Sequence, residues 1–386
     1  MRILVAQNVP RERKGGASRL MGFIHDEVEK GGHAVDYFCS DDTSSRREGR
    51  LGRLLFPLEV VWRTVAAARI GRPYDIVNVH EPSSAPIGIL KRLAGNPSVV
   101  VTSHGLERRR WKLRLEESRR NGDGSDLNAW VAYFVKNLWQ SQLGLRLADH
   151  VFCLNSEDES CLIESIGRSV QSVSRIFPGV SHIYAWAGMQ RDYARMNTIL
   201  FAGSWIKRKG IPELVAAFTE AAARRKELKL IVLGSGATEA LVRSAFPSEV
   251  AQRVFALQAA DDKEAALIYA AADVFVLPSH FEGTPLTLIE AMASGLPGIT
   301  TATCGMKDVI RTGENGMLVP PYSFEALGVA LERLLENREL RQRLGNTAAK
   351  DAREKYTWAG VAQPVLAAYE RLHATARRQV DRYEKA

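Results

Sequence analysis

Short runs of β-branched and apolar residues alternate along the chain with segments of helical pattern. This pattern predicts strands in the first half at 2–6, 34–39, 75–79, 98–103 and 150–154, and in the second half at 198–203, 228–234, 273–278 and 297–301. Strands that alternate with helices join through crossovers and build parallel sheets covered by helices. Because the alternation restarts after a polar segment at 186–197, the sequence predicts two doubly wound α/β domains joined by a linker.

The composition is that of a globular protein with two ordinary cores. Of the 386 residues, 46% are hydrophobic and 25% are charged. No run of 18 or more apolar residues exists, and the apolar part of the opening segment is too short for a signal peptide, so a cytoplasmic protein is predicted. Neither a zinc site nor a disulfide is expected, because no C-x-x-C pair occurs among Cys39, Cys153, Cys161 and Cys304.

The net charge of +8 predicts a polyanionic partner, which is a nucleic acid, an anionic membrane or a phosphorylated ligand. Two stretches interleave arginine with tryptophan and leucine, as segments that lie on anionic lipid do. They are 106–120, with Arg108, Arg109, Arg110 and Trp111, and the segment of Arg46, Arg47, Arg50 and Arg53 ahead of LLFPLEVVW. The alternative is that both are solvated helix faces. Nucleic acid is not expected, since the chain has no recognition motif for it.

Glycine-rich turns follow three of the predicted strands. They are Gly15 and Gly16, the segment GSWIKRKG at 203–210 with Lys207, Arg208 and Lys209, and GSG at 234–236. All three lie at the carboxyl ends of parallel strands, where open α/β sheets bind ligands. Turn N–H groups and a helix N-terminus there attract anions. The alternative is that these are ordinary turn glycines beside solvated cations.

The stretch SHFEGTPLTLIEAMASG at 279–295 predicts a short helix with Thr284 as N-cap, Pro285 in the first helical position and Gly295 as the stop. Its apolar residues point in all directions, which indicates a helix buried on most sides. Glu290 is therefore predicted to be buried, and a buried carboxylate needs hydrogen-bond donors. Those donors come either from a neighbouring arginine or backbone, or from the hydroxyls of a ligand.

Together these motifs resemble the retaining glycosyltransferases of family 4. The resemblance rests on the Gly15–Gly16 pair, the G-x(5)-KG pattern at 203–210 and FEGTPLTLIEAMASGLP, in which Glu282 and Glu290 have E-x(7)-E spacing. It continues through Gly305, Gly313, Gly316 and a helix from Ser323. It implies the GT-B fold of two facing Rossmann-like domains. In that fold residues 1–190 form the acceptor-side domain, a C-terminal helix at about 362–386 packs back on it, and 197–361 bind the nucleotide sugar.

The resemblance also implies an enzyme that transfers a hexose with retention. The donor is a UDP- or GDP-linked sugar acting as co-substrate, with no other cofactor, and the acceptor is a glycan or a lipid-linked molecule of polysaccharide or lipopolysaccharide biosynthesis. The basic stretches, rather than the resemblance, predict an anionic membrane as a further partner, at the inner face of the cytoplasmic membrane. By analogy Glu290 accepts hydrogen bonds from the ribose hydroxyls and Glu282 faces the donor sugar. The loop and helix start that cover sugar and diphosphate comprise Gly283, Thr284, Leu286 and Thr287.

The departing diphosphate develops negative charge that a metal or fixed cations must stabilise. The sequence has no D-x-D pair, so Lys209 with the Gly15–Gly16 loop is the predicted stabiliser, in keeping with the metal-independent habit of the family. The family usually has an arginine where Ser204 stands here, and Arg208 or Lys207 takes its place. Gly234 completes the predicted donor site. His104 is the predicted catalytic histidine of the first domain, with His80 as the alternative.

Two other functions are compatible with these features. A sugar-nucleotide epimerase or hydrolase of the same architecture would use the donor site without an acceptor. A non-catalytic, basic, membrane-associated protein would have a vestigial site, although both glutamates and Lys209 are present. Nucleotide release that depends on an acceptor distinguishes the transferase from both.

Overall fold

The structure, a computed structural model, describes residues 1–12, 15–43, 50–121, 133, 137–189, 191–259 and 261–384. Two compact units make up the chain. The first unit consists of Met1–Phe177 with Val361–Ala386, and the second of Pro178–Gly360. Residues 178–190, which the sequence assigned to the first domain, belong to the second unit. Arg46 and Arg47 of the basic stretches lie outside the described residues, as do the side chains of Arg50 and Arg53.

The first unit is built on a six-stranded parallel sheet of order β2-β1-β3-β4-β5-β6. Its strands are β1 Arg2–Gln7, β2 Ala34–Cys39, β3 Ile76–His80, β4 Ser98–Thr102, β5 His150–Cys153 and β6 Val173–Arg175. Both faces of this sheet are covered by helices, so β3 and β4 are buried along their whole length. The strand order reverses between β1 and β3, and ligands of doubly wound sheets bind at such a point.

The part of the first unit at Met1–Phe177 contains six α-helices among its described residues, placed where apolar residues recur at helical spacing. They are α1 Gly16–Lys30, α2 Arg50–Arg69, α3 Ala85–Ala94, α4 Glu107–Asn121, α5 Trp139–Leu147 and α6 Ser156–Ser160. In α1, Leu20, Ile24 and Val28 recur every fourth residue and are buried. Shorter turns of 3-10 or π type span Ser40–Asp42, Cys161–Ser165 and Val170–Ser172.

The second unit has its own six-stranded parallel sheet, of order β12-β11-β10-β7-β8-β9. Its strands are β7 Thr198–Ala202, β8 Lys229–Leu233, β9 Val254–Leu257, β10 Val274–Leu277, β11 Gly298–Thr301 and β12 Met317–Val319. The order reverses between β7 and β10, which pair through Val274 with Ile199 and Phe275 with Leu200. The carboxyl ends of these two strands are therefore the place where this sheet is built to bind a ligand.

The helices of the second unit surround this sheet, with one 3-10 turn at Lys207–Lys209. They are α7 His182–Gly188, α8 Ile211–Arg224, α9 Glu239–Arg243, α10 Ser248–Ala251, α11 Asp262–Ala271, α12 Leu286–Ala293, α13 Cys304–Val309, α14 Phe324–Glu336 and α15 Arg338–Lys355. The predicted start of α14 at Ser323 is confirmed, because the Ser323 side chain caps it by accepting from the Ala326 N–H.

The polar segment 186–197, predicted as a linker, packs on the second unit instead. Arg191 donates from Nε to the carbonyl of Ser294 at 2.9 Å and from Nη2 to that of Tyr269 at 2.8 Å. The Tyr193 hydroxyl donates to the carbonyl of Gly295 at 2.9 Å. The last carbonyls of a helix have no partner within the helix, so these side chains satisfy the ends of α11 and α12. Arg191 and Tyr193 therefore attach this segment to the second unit, while Asp192, Arg195 and Asn197 are exposed to solvent.

The final helix, α16 Trp358–Glu384, joins the first unit from Val361 onward through a buried polar network. His25 Nδ1 lies 2.8 Å from the Met21 carbonyl, which only accepts, so Nδ1 carries the proton. Its Nε2 therefore accepts from the Tyr369 hydroxyl at 2.9 Å, and the Tyr369 oxygen accepts from Asn78 Nδ2 at 2.7 Å. A neutral His25 is thus part of the attachment of α16.

No helix in the described part of the chain is long and apolar enough to cross a membrane.

The network around His25 predicts that the first unit is destabilised by acid. Burial lowers the pKa of His25 to about 4, so its stabilising contribution is complete above pH 6.5 and is lost as the pH falls toward the folded value. Acidification from pH 7.5 to 5.5 should lower the unfolding free energy by about 1 kcal/mol through this residue. Urea denaturation at both pH values measures it. The His25→Gln variant should lose correspondingly less than wild type, whereas exposed His182→Gln should match wild type; equal losses in all three would contradict a buried neutral His25.

Candidate active site

The loop after β7 carries the basic segment and is held against the end of β10. Gly210 has φ +72°, and a Cβ atom there would overlap the carbonyl of Pro278. Only glycine meets both demands. The N–H of His280 donates to the carbonyl of Arg208 at 2.9 Å, which joins the two loops again. The side chains of Arg208 and Lys209 are therefore presented at the carboxyl ends of β7 and β10.

Glu282, on the loop after β10, forms ion pairs with both Lys209 and Arg208. Lys209 Nζ lies 2.6 Å from Glu282 Oε1, and Arg208 Nη1 lies 3.2 Å from the same oxygen while also donating to the Phe281 carbonyl. The side chains of Lys209 and Glu282 are each 12% exposed. Burial raises the pKa of Glu282, but the charges of Lys209 and Arg208 outweigh it and hold the pKa below its usual value. The result is an ionised carboxylate within a cluster of net positive charge.

Glu290 is buried, as predicted, with 2% of its surface exposed. The Tyr269 hydroxyl, itself fully buried, donates to Glu290 Oε2 at 3.0 Å. The donor to that oxygen is thus a tyrosine of α11 rather than the arginine that the sequence suggested as one source. Tyr269 was not singled out in the sequence, because an aromatic residue in an apolar helix gives no sign that its hydroxyl meets a carboxylate.

The helix that carries Glu290 starts later than predicted. It begins at Leu286 with Pro285 at the N-cap, because Pro285 has ψ 123° and is not helical, so Thr284 is not the cap. Thr284 and Gly283 instead contact α13. The N–H of Gly305 donates to the Gly283 carbonyl at 2.9 Å, and a Cβ at Gly305 would overlap both residues. Thr287 is half-buried in the first turn, with its carbonyl 3.4 Å from the Tyr269 hydroxyl.

The other residues predicted for the donor site of the second unit lie on adjacent loops. Ser204 is exposed directly after Gly203, and the next residue, Trp205, donates its N–H to the Ser235 carbonyl at 2.8 Å. Gly234 ends β8 with φ +66°. The structure therefore collects ten predicted residues at one edge of the second sheet, namely Ser204, Arg208, Lys209, Gly234, Glu282, Gly283, Thr284, Leu286, Thr287 and Glu290.

Gly15, Gly16 and His104 belong to the first unit. Gly16 begins α1, and open space surrounds the position a Cβ would take there. His104 Nε2 lies 3.1 Å from His80 Nδ1, so the predicted histidine and its alternative form one pair. Burial, followed by the charge of Arg110, lowers the pKa of His104 to about 4. Burial also holds the pKa of His80 well below its usual value, so both rings are neutral at pH 7.

Glu81, directly after β3 of the first unit, is a polar residue that the sequence analysis did not predict as part of a site. It receives hydrogen bonds from the Ser141 hydroxyl and, at 3.2 Å, from the Glu107 N–H. Burial raises the pKa of Glu81 to about 7 despite these donors. In the sequence Glu81 stands between His80, the last residue of β3, and Pro82, a combination that is typical of an ordinary turn. Among the described residues no group of three or more histidine, cysteine or acidic side chains is arranged to hold a metal ion.

Fold and site define a GT-B protein, with two Rossmann-like parallel sheets and a basic cluster at the switch point of the second. A family model of glycosyl transferases group 1 matches residues 190–351, and one of glycosyltransferase family 4 matches residues 14–182. The chain belongs to these glycosyltransferases, and the predicted family and fold class are confirmed.

Three similar proteins illustrate this membership. Mannosylfructose-phosphate synthase of Agrobacterium fabrum is 28% identical over 77% of this chain and 68% of its own length. A GDP-mannose-dependent alpha-(1-6)-phosphatidylinositol monomannoside mannosyltransferase of Mycobacterium tuberculosis is 24% identical over 92% of this chain and 94% of its own. Sucrose-phosphate synthase from Thermosynechococcus elongatus has the same fold, with a TM-score of 0.76 and 22% identity over 97% of this chain and 100% of its own.

Proposed function

We propose that this glycosyltransferase moves a hexose, with retention of configuration, from a UDP- or GDP-linked donor to a glycan or lipid-linked acceptor. The observation that carries the proposal is the cluster of Lys209, Arg208 and Glu282 at the switch point of the second sheet. Glu282 of this cluster lies eight residues before Glu290 in the sequence. The E-x(7)-E spacing supports retention through the resemblance to family 4. The mannosyltransferase relative, which depends on GDP-mannose, favours a GDP-linked hexose among the two donors.

The basic cluster suits the departure of a diphosphate. In the transfer, the bond between the anomeric carbon and the phosphate oxygen breaks, and its electron pair stays on the diphosphate. The acceptor hydroxyl oxygen forms the new bond to the anomeric carbon, and its proton passes to the departing phosphate oxygen. Lys209 and Arg208 carry two positive charges against the one negative charge of Glu282, so the cluster has a surplus that stabilises the developing charge without a metal ion.

Glu290 suits the nucleoside of the same donor. An ionised carboxylate offers two acceptor oxygens and no donor, which matches the two hydroxyls of a ribose. The Tyr269 hydroxyl holds one of these oxygens at 3.0 Å and so orients the carboxylate. The loop of Gly283 and Thr284, fixed by Gly305, brings backbone toward the sugar and diphosphate in this proposal.

Two measurements with the full chain test the proposal. In a thermal-shift screen, the correct nucleoside diphosphate at about a hundred times its Kd should add about 2.7 kcal/mol of stability. Incubation with UDP-glucose or GDP-mannose should then release nucleotide only when a glycan or lipid-linked acceptor is added. Release at the same rate without any acceptor would indicate a hydrolase. Stabilisation by neither diphosphate would argue against a nucleotide-sugar enzyme.

An anionic membrane remains part of the proposal, and of the two predicted stretches the one that continues into LLFPLEVVW supplies exposed apolar side chains. Arg109 donates to Asp158 at 2.5 Å and pairs with Glu157, while Trp111 stacks on Tyr133 with ring centroids 4.7 Å apart. These side chains are used within the first unit. On α2 and α3, which pack together, four large apolar side chains are exposed, namely Trp62 at 71%, Leu93 at 83%, Leu58 and Ile89.

We therefore expect vesicle binding to depend on Trp62. With vesicles containing phosphatidylglycerol, the wild type should co-sediment at low salt and less so at high salt, since each basic residue near such a surface contributes about 1 kcal/mol. The Trp62→Ser variant should bind less. Trp186→Ser, which removes an exposed tryptophan of the second unit, serves as the matched control and should bind like wild type. No binding by the wild type at low salt would remove the membrane from the proposal.

A further inference from the structure

Two buried polar atoms without a hydrogen-bond partner belong to residues of neighbouring strands at the switch point of the first sheet. Gln7 Oε1 and His80 Nε2 have no hydrogen-bond partner among the described residues, and both residues are buried. Ala6 pairs with Val79 in the parallel register of β1 and β3, so Gln7 and His80 are the next positions along the two strands. Register neighbours in a parallel sheet are about 4.8 Å apart, and their side chains share one face.

The same His80 is in contact with His104 through its other ring nitrogen. The distance from His80 Nδ1 to His104 Nε2 is 3.1 Å, and the ring centroids are 4.7 Å apart. Both imidazoles are neutral at pH 7, so one nitrogen of the contact donates its proton and the other accepts. Each neutral ring carries only one N–H. The position of the shared proton therefore decides whether the other nitrogen of His104, Nδ1, is a hydrogen-bond donor or an acceptor.

Gln7 decides between the two arrangements. Its amide nitrogen donates to Cys39 Sγ at 3.4 Å, so the oxygen is the end left for His80. If His80 donated from Nδ1, its bare Nε2 would stand beside another acceptor, Gln7 Oε1. If His104 donates from Nε2, His80 keeps its proton on Nε2. This N–H is a donor on the strand next to the acceptor Gln7 Oε1, and one water can bridge the two atoms. Leaving a buried polar group without a hydrogen-bond partner is unfavourable, and this favours the second arrangement.

We propose that Gln7 and His80 are positioning residues that hold the proton of His104 on Nε2, so that His104 presents an unprotonated Nδ1 as the acceptor for a ligand hydroxyl. His104 is half-buried, and the hydrogen bond that the described chain provides for it is the one at Nε2. The ligand of this site is a polyol with a free hydroxyl group. This inference rests on the proposed function only in the identity of that ligand.

The proton position is measurable without any substrate. In the full chain labelled with 15N-histidine, long-range proton–nitrogen correlation spectra report the tautomer of each ring, and the His104→Gln variant assigns the signals of His104. We expect His104 and His80 both to be protonated on Nε2 in the wild type. A wild-type His104 protonated on Nδ1 would overturn the proposal.

Two substitutions of similar shape separate positioning from packing. In His80→Asn the amide oxygen stands where Nδ1 was and can accept from His104, whereas His80→Leu has no acceptor. We expect His80→Leu to mix the tautomers of His104 and to lower kcat by about tenfold with little change in KM, and His80→Asn to keep the wild-type tautomer and stay within about threefold of its kcat.

Gln7→Leu gives a second route to the same result if His80→Leu does not fold. An unchanged His104 tautomer in both leucine variants would overturn the proposal. If the tautomers change as expected but no sugar nucleotide is turned over by the wild type, the proposed function fails and the positioning role stands.

Discussion

Lys209→Ala is expected to lower kcat by about a hundredfold or more, the scale on which removing one preorganised group that stabilises transition-state charge acts. Nζ of Lys209 lies 2.6 Å from Glu282, and the carbon and nitrogen at its tip lie beside Gly203 at the carboxyl end of β7. It is therefore held at the place where the second sheet binds a ligand. Because the charge on the diphosphate grows only as the glycosyl bond breaks, the loss should show in kcat at saturating donor.

Lys207→Ala is the matched control for this prediction. Lys207 lies in the same 3-10 turn and has the same charge, but it is exposed, so its loss should change kcat by no more than about twofold. If fixed charge replaces a divalent ion, activity should also survive excess EDTA. Full loss of activity in EDTA that Mg²⁺ restores would overturn the metal-free mechanism, whatever the variants do.

The variant Arg208→Ala tests whether Arg208 takes the place of the arginine that the family usually has at the position of Ser204. Its guanidinium reaches Glu282 Oε1 at 3.2 Å and the Phe281 carbonyl, whereas Ser204 is exposed. Arg208 is thus the better substitute, and Arg208→Ala should be nearly as severe as Lys209→Ala. If Lys209 acts almost alone, Arg208→Ala will be mild and Ser204→Arg will be tolerated or activating.

The alternating pattern predicted nine of the twelve strands, and the three it missed have a common physical reason. They are β6, β9 and β12, which are three or four residues long and lie at the edges of the sheets. Central strands are buried on both faces and read as continuous apolar runs, whereas a run of three or four residues, such as VFAL in β9 or MLV in β12, is too short to show the period of a strand. A segment such as Val173–Arg175 therefore gives no signal of its own and forms a strand only because β5 offers it a partner.

The site was predictable in its residue types but not in its pairings. Strand ends, glycine turns and the helix at 286–293 indicated where Lys209, Glu282 and Glu290 would gather. That Lys209 pairs with Glu282 depends on the approach of Gly210 to Pro278, a contact between residues far apart in the sequence. The link from Gln7 to His104 likewise depends on the order of strands, in which β3 lies between β1 and β4.

Glu290→Ala is expected to weaken the binding of the nucleoside diphosphate by about a hundredfold. Hydrogen bonds to a charged group contribute about 1.5–3 kcal/mol each, and the proposal gives Glu290 the hydroxyls of the ribose. Isothermal titration calorimetry with UDP and GDP measures the loss. Glu290→Gln keeps one acceptor oxygen for the Tyr269 hydroxyl and should be intermediate, and circular dichroism of both variants checks that α12 is intact.

Glu282→Gln should act in the opposite way on binding. In the wild type Glu282 shares Lys209 and Arg208 with any arriving phosphate, so removing its negative charge leaves both cations to the diphosphate. Affinity for UDP or GDP should stay the same or become tighter, while turnover falls because the group facing the reacting sugar is lost. The two glutamates of one motif are then separated by a single comparison, since one position governs Kd and the other kcat. Equal losses of affinity at both positions would mean that the roles of Glu282 and Glu290 have been assigned wrongly.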